Sequence, residues 1–133
     1  MTQNLFDIKG KVVVMTGACG VLGSTIVKYF AAQGCKVVLL DLDRASAIGE
    51  ALVEEIAKDG GEACFFPTNV LDKATLERNN EQIIAKYGKI DILLNAAGLG
   101  RELFFLQFFL HPQEVLLHLL CLFHHVGLIH ATI

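Results

Sequence analysis

Residues Lys11–Gly23 read KVVVMTGACGVLG, and this stretch decides the fold. Lys11–Thr16 is a β-branched, apolar run that stops at glycine, the pattern of a strand buried on both faces. Beyond the glycines, Leu22, Ile26, Val27 and Phe30 recur at helical spacing until Gly34 ends them. A strand that opens through glycines into a helix lets an anionic group come close to the backbone. The N–H groups and dipole of that helix then hold the anion. Thr16, Gly17, Cys19, Gly20, Val21, Leu22 and Gly23 are therefore candidate diphosphate-binding residues. An ordinary glycine-rich connection is the bland alternative, and the strand–helix context argues against it.

Outward from this turn, strand and helix patterns alternate. Lys36–Asp41 (KVVLLD) is a second buried strand. Ala45–Asp59 carries Ile48, Ala51, Leu52, Glu55 and Ile56, an apolar stripe with a charged back, ended by Gly60 and Gly61. Glu62–Pro67 is a third, shorter strand. Asp72 is placed to cap a helix with Leu76, Ile83, Ile84 and Tyr87 inward and Gly88 as its stop. Ile90–Asn95 (IDILLN) is a fourth strand. Continuous apolar strands separated by helices predict an α/β fold, a doubly wound parallel sheet covered on both faces. Right-handed crossovers step the strands away from the first one. Where the order reverses, a crevice opens at their C-terminal ends.

Composition narrows the classes further. The chain has 133 residues, 53% hydrophobic and 19% charged, with 12 Gly and 2 Pro, which suits one compact domain and excludes a disordered or collagen-like chain. A net charge of −3 argues against a nucleic-acid partner, which usually meets a basic face. Cys19, Cys35, Cys64 and Cys121 form no CxxC pair, so neither a zinc site nor a dithiol motif is signalled. With no apolar leader in MTQNLFDIKGK either, a reducing, cytoplasmic setting is expected.

Asp41 ends the second strand, 24 residues after Gly17. A carboxylate there accepts both ribose hydroxyls of an adenosine, though a strand-end acid can also be merely solvated. It would repel a 2′-phosphate: at ~4 Å and an effective dielectric near 20, two unit charges cost about 4 kcal/mol. Leu42 offers no compensating cation and Arg44 is the nearest one, so NAD is favoured over NADP.

The TGACGVLG turn, Asp41, Asn69-Val70 after the third strand and Asn95-Ala96-Ala97-Gly98 after the fourth resemble a short-chain dehydrogenase/reductase. The resemblance covers about residues 1–98 and implies a Rossmann-type cofactor half-domain of about four strands. It implies that Asn69 and Val70 meet the adenine ring and that Ala96, Ala97 and Gly98, after Asn95, line the ribose wall. That family usually has glycine where Val21 stands. The GVLG version is similar to a branch acting on sugar acids, of the mannonate or fructuronate oxidoreductase type. The resemblance further implies hydride transfer between nicotinamide and an alcohol or ketone, and homo-oligomeric full-length relatives.

Family catalysis needs a Tyr-x-x-x-Lys pair with a serine near the substrate carbonyl; the tyrosine moves the proton and the lysine lowers its pKa. Here Tyr29 and Tyr87 are followed four residues on by Gln33 and Asp91, and Ser24 and Ser46 lie in the cofactor half. No catalytic residue is assigned. The expectation is an inactive fragment that keeps the cofactor-binding half, with a non-catalytic dinucleotide-binding module as the alternative.

Residues 99–133 follow another rule. All five histidines lie there, and the charged residues reduce to Arg101, Glu102 and Glu114. A foreign tail from a frame change or truncation fits best. A membrane anchor over Val115–Ile133 is weakened by four histidines and Gly127. A helical cap, with Leu103, Leu106, Phe109 and Leu110 at helical spacing, is the third reading, and the tail is expected to be mostly helical. No Asp or Cys constellation accompanies His111, His118, His124, His125 and His130 except Cys121, so no metal is expected. Without later strands the fourth strand is expected to be an open, aggregation-prone edge.

Overall fold

The computed structural model describes residues 7–96 and 105–108. Nine elements follow in chain order. They are β1 (Val12–Thr16), α1 (Val21–Ala32), β2 (Lys36–Asp41), a 3-10 turn (Asp43–Ala45), α2 (Ser46–Lys58), β3 (Glu62–Pro67), α3 (Lys73–Tyr87), β4 (Ile92–Asn95) and β5 (Phe105–Phe108). The sheet order is β3-β2-β1-β4-β5. The first four strands are parallel, with Val14 opposite both Val38 and Leu93.

Alternation along the buried strands sends successive side chains to opposite faces. Val13, Met15, Val37, Leu39, Ile92 and Leu94 pack with Val27 and Ala31 of α1 and Leu52 and Ile56 of α2. Val12, Val14, Val38, Leu40 and Leu93 pack with Leu76 and Ile83 of α3. Two cores sandwich one sheet, and the polar ends of its strands are left at the rim.

The helical stripes differ from the expected ones in their centres. Leu22 is 63% and Ile48 54% exposed, and Ala51 is exposed as well. Val27, Leu52 and Ile56 are buried as expected and Ile26 and Phe30 pack against the core, while Gly23 and Ala31 on α1 and Gly49 on α2 complete the buried faces. Glycine lies at each point of closest approach. A Cβ on Gly49 would stand 2.3 Å from the Phe65 ring. The helix therefore turns its smallest residue, not its largest, toward the strand.

A second correction concerns the tail. Phe105–Phe108, expected to be helical, is a strand paired antiparallel with β4, Asn95 opposite Phe105 and Ile92 opposite Phe108. Among the described residues the four expected parallel strands are joined by this fifth, antiparallel one, and β4 is not an open edge over Ile92–Asn95. Aromatic residues have high strand propensity, and the unpaired backbone groups along β4 offer a pairing partner that a helix could not use. The rest of 99–133, including every histidine and Val115–Ile133, lies outside the described residues. Among the described residues no helix is long and apolar enough to cross a membrane, and no cluster of metal-ligating side chains occurs.

Candidate functional site

The strand order reverses at β1, which has β2 on one side and β4 on the other. Connections leave in opposite directions there, so the C-terminal ends of these strands border a crevice. Thr16, Asp41 and Asn95 are the last residues of the three strands. The expected site residues are thereby brought to one rim.

The turn is built by glycines with three different reasons to be glycine. Gly17 has φ +66°, the left-handed region that L side chains rarely adopt. A Cβ on Gly23 would lie 2.4 Å from the Gly17 carbonyl oxygen, so the first turn of α1 packs directly on the loop backbone. Gly20, the N-cap of α1, is under neither constraint: its nearest neighbour is the same carbonyl at an ordinary 3.6 Å. Nothing caps α1 with a side chain, and no acid stands in its first turn. By contrast, the Asp72 side chain accepts the Ala74 and Thr75 N–H groups and caps α3 as expected. The start of α1 thus presents N–H groups and positive dipole to the crevice, beside a glycine whose Cβ position is not crowded.

Asp41 is tied to this turn. Its Oδ2 accepts the Cys19 N–H at 2.9 Å, and its Oδ1 accepts the Leu42 N–H at 2.8 Å. Each oxygen keeps acceptor capacity, since an ionised carboxylate has about four lone-pair sites. The contribution of Cys19 is this N–H. Its thiol is pushed up to about 11, first by burial and then by the charge of Asp41 and a hydrogen bond to it, so it stays protonated at neutral pH. Val21, placed where the related pattern has glycine, is 92% exposed and turns its side chain to solvent. Leu22 is exposed beside it.

On the other side of β1, the Thr16 Oγ1 accepts the Ala96 N–H at 3.1 Å and stitches the end of β4 to the start of the turn. Asn95 is 5% exposed, and its Oδ1 has no hydrogen-bond partner. A buried, orphaned carbonyl is costly, which makes a donor arriving in the crevice favourable there. Ala97 and Gly98 lie outside the described residues.

Past Asp41, a cavity of about 440 Å³ opens between the ends of β2 and β3, walled by Leu42, Pro67, Thr68 and Asn69. Asn69 is exposed; its Oδ1 accepts the Leu71 N–H and its carbonyl the Asp72 N–H, which shape the connection into α3. Val70 does not line the cavity but packs against the α3 core. The sequence reading missed Asn79. It is 4% exposed, and its Nδ2 donates to the Thr68 Oγ1 at 2.8 Å and the Pro67 carbonyl at 3.2 Å, fixing the floor of the cavity. Its position gave a signal: three residues after Leu76 and four before Ile83, it shares their inward face. Tyr29 and Tyr87 are elsewhere. Tyr29 is exposed on α1, while the Tyr87 hydroxyl donates to the Cys64 sulfur at 3.5 Å.

The family described as short chain dehydrogenase matches residues 11–116. An uncharacterized oxidoreductase of Bacillus subtilis, UxuB, is 41% identical over 92 residues, which are 69% of this chain and 32% of that protein. A D-threitol dehydrogenase of Mycolicibacterium smegmatis is 34% identical over 96 residues, 72% of this chain and 36% of that one. The chain therefore spans about a third of the length of these relatives. Among solved structures, a D-mannonate oxidoreductase of Haemophilus influenza with bound NAD is similar at TM-score 0.65 and 33% identity, over 80% of this chain and 39% of that one. A metagenomic short-chain oxidoreductase in complex with NADP is similar at TM-score 0.66 and 30% identity, over 71% and 42%. With the glycine turn, the strand-end acid and the strand reversal all in place, the chain belongs to the short-chain dehydrogenase family.

Proposed function

We propose that residues 1–98 are the cofactor-holding part of an oxidoreductase that moves hydride between a nicotinamide dinucleotide and an alcohol or ketone carbon. The observation that carries this reading is the uncapped start of α1, where a Cβ at Gly20 would meet nothing nearer than the Gly17 carbonyl oxygen at 3.6 Å and Asp41 is anchored by the Cys19 N–H at 2.9 Å. In this reading the turn Thr16–Gly23 grips the diphosphate, with Gly17, Cys19, Gly20, Val21, Leu22 and Gly23 contributing backbone. Asp41 takes the adenosine ribose hydroxyls. Asn69 and Val70 border the adenine, and Asn95 with Ala96, Ala97 and Gly98 closes the ribose wall. The bound nicotinamide supplies the hydride acceptor or donor; the chain supplies position and exclusion of water.

NAD is the form that Asp41 favours, since a second phosphate would sit against its charge. The name of one similar solved structure, a D-mannonate oxidoreductase, supports a sugar-acid substrate. A cytoplasmic setting is supported by three unpaired cysteines, Cys19, Cys35 and Cys64. The 133 residues hold no Tyr-x-x-x-Lys pair, which favours a second reading, a dinucleotide-binding module without turnover of its own. That apolar composition continues through 99–133 supports self-association of the isolated chain.

Calorimetry with NADH tests the proposal. Uptake is expected, weakened by about tenfold or more in Asp41→Ala through loss of the ribose contacts and of the Cys19 anchor. No heat, or the same affinity in Asp41→Ala, overturns it. The second reading predicts no reduction of NAD with hexuronate-type alcohols, and measurable turnover excludes it. A monomeric, cooperatively melting species on size-exclusion chromatography would overturn self-association.

A further inference from the structure

On the face of the sheet that carries α1 and α2, β4 and β5 have no helix of their own. Gly49 of α2 closes on Phe65 of β3, and α1 packs Val27 and Ala31 on the neighbouring strands, while α3 lies on the opposite face. Ile92 and Leu94 of β4 belong to the core on the α1 side, and Phe108 and Leu106 of β5 are their register partners. Among the described residues no helix follows α1 across these two strands. The flank of α1 on that side is apolar. The Lys28 ammonium meets the Glu55 carboxylate of α2 at 2.9 Å, which sets the opposite flank toward β4. Ile26 and Phe30, two residues to either side of Lys28, lie about 160° round the helix from it. Both pack on the core yet stay only half-buried. The exposed Tyr29 ring stands edge-on to Phe30 with centroids 6.3 Å apart, and the exposed Leu22 continues the stripe.

The chain itself carries a matching segment, and β5 delivers it to the right end of the sheet. Phe108 is opposite Ile92, Ile92 is opposite Val13, and Val12 is opposite Lys36, which closely follows α1. The chain therefore leaves β5 at the end where α1 finishes. Phe109–Glu114, extended, spans about 20 Å, enough to rise from the sheet edge to the level of α1. Beyond it Val115–Val126 reads VLLHLLCLFHHV, with no Asp, Glu, Lys or Arg. Leu116, Leu119, Leu120 and Phe123 recur at helical spacing, and His118 and His125 fall on the other side of such a helix. One wholly apolar face on the segment thus answers one uncharged stripe on α1, and burial of both is the driving force for docking.

We infer that Val115–Val126 of the same chain docks along the Ile26, Tyr29 and Phe30 flank of α1, over β4 and β5, as the third helix of that face. The inference stands apart from the cofactor reading, because the flank faces away from Asp41 and α2. Self-association of the chain then falls to the outer edge of β5, which is unpaired among the described residues, and to the rest of the tail.

The test is photo-crosslinking of the full chain with benzoylphenylalanine in place of Tyr29, and in place of the exposed Ile48 on α2 as a control, in equal mixtures of isotopically light and heavy chains. The expected result is an adduct from the Tyr29 position to a peptide within 115–126 of the same chain, absent from the Ile48 position. A light–heavy adduct would mean that a second copy lies on the flank, and would overturn the inference. So would an adduct to another segment, no adduct, or the same adduct from both positions. Independently, Tyr29→Glu, checked for an unchanged circular-dichroism spectrum, is expected to speed chymotryptic cleavage within 115–126 by about tenfold, since cleavage follows the undocked population. An unchanged cleavage rate would overturn it as well.

Discussion

Three glycines within seven residues do unlike work, and only their surroundings separate them. Gly17 is fixed by its φ of +66° and Gly23 by a carbonyl oxygen 2.4 Å from where a Cβ would be, while a Cβ on Gly20 would meet only an ordinary contact at 3.6 Å. The consequence is a pair of substitutions with opposite outcomes. Gly20→Ala should leave the melting free energy within about 1 kcal/mol, the size of an N-cap exchange, while weakening dinucleotide binding. Gly23→Ala should destabilise the fold by about 1–3 kcal/mol through backbone overlap. Chemical denaturation read beside NADH calorimetry checks both. Loss of stability in Gly20→Ala would mean that this glycine serves the fold and not a ligand. The spacing of the three was plain in the sequence, but the different burden on each was not, because steric contact with a carbonyl six residues away depends on how the helix seats on the loop.

Between elements, short polar clamps hold the parallel strands in register. Asp91, just before β4, accepts the Val12 N–H at 2.8 Å and pairs with the Lys89 ammonium at 3.0 Å, while its own N–H donates to the Val12 carbonyl. Burial pushes the Asp91 carboxyl up, but the Val12 N–H and Lys89 outweigh it and hold the carboxyl below its ordinary value. A lowered native pKa contributes stability that is complete above the unfolded value and is lost as pH falls through the native one. Urea melts should therefore show stability declining below about pH 4. Asp91→Ala should cost about 1–3 kcal/mol at pH 7 by stranding the Val12 N–H and should flatten that acid limb. An unchanged limb would assign it to other carboxylates. Strand and helix identities were legible from apolar runs and caps, Asp72 included. Val27, Leu52 and Ile56 are buried as expected, with Ile26 and Phe30 packed on the core, but Gly23 and Gly49 were missed because glycine carries no hydrophobic signal, yet it marks where a helix comes closest to the sheet. β5 was misjudged because an apolar, Phe-rich run fits either period, and the free edge of β4 settled it.

For the whole molecule, the proposed function makes the described part the adenosine side of a cleft, with its anion end at α1 and its base end at the cavity past Asp41. Ligand halves should then separate in a thermal melt. ADP-ribose at 100 times its Kd should stabilise the fold by about 2.7 kcal/mol, and nicotinamide mononucleotide at the same concentration should give little or no shift. Equal shifts would place the binding energy elsewhere. The alternating strands and helices, the glycine turn and the acid at 41 were written in the sequence by itself, because period and turn chemistry are local properties. Tertiary structure alone decided that the Cys19 N–H holds Asp41, that Asn79 props the cavity floor, that Val21 faces solvent and that the Ile26 flank of α1 lies toward β4. Each of these joins groups from separate segments, and chain folding, not spacing along the chain, sets the distance between them.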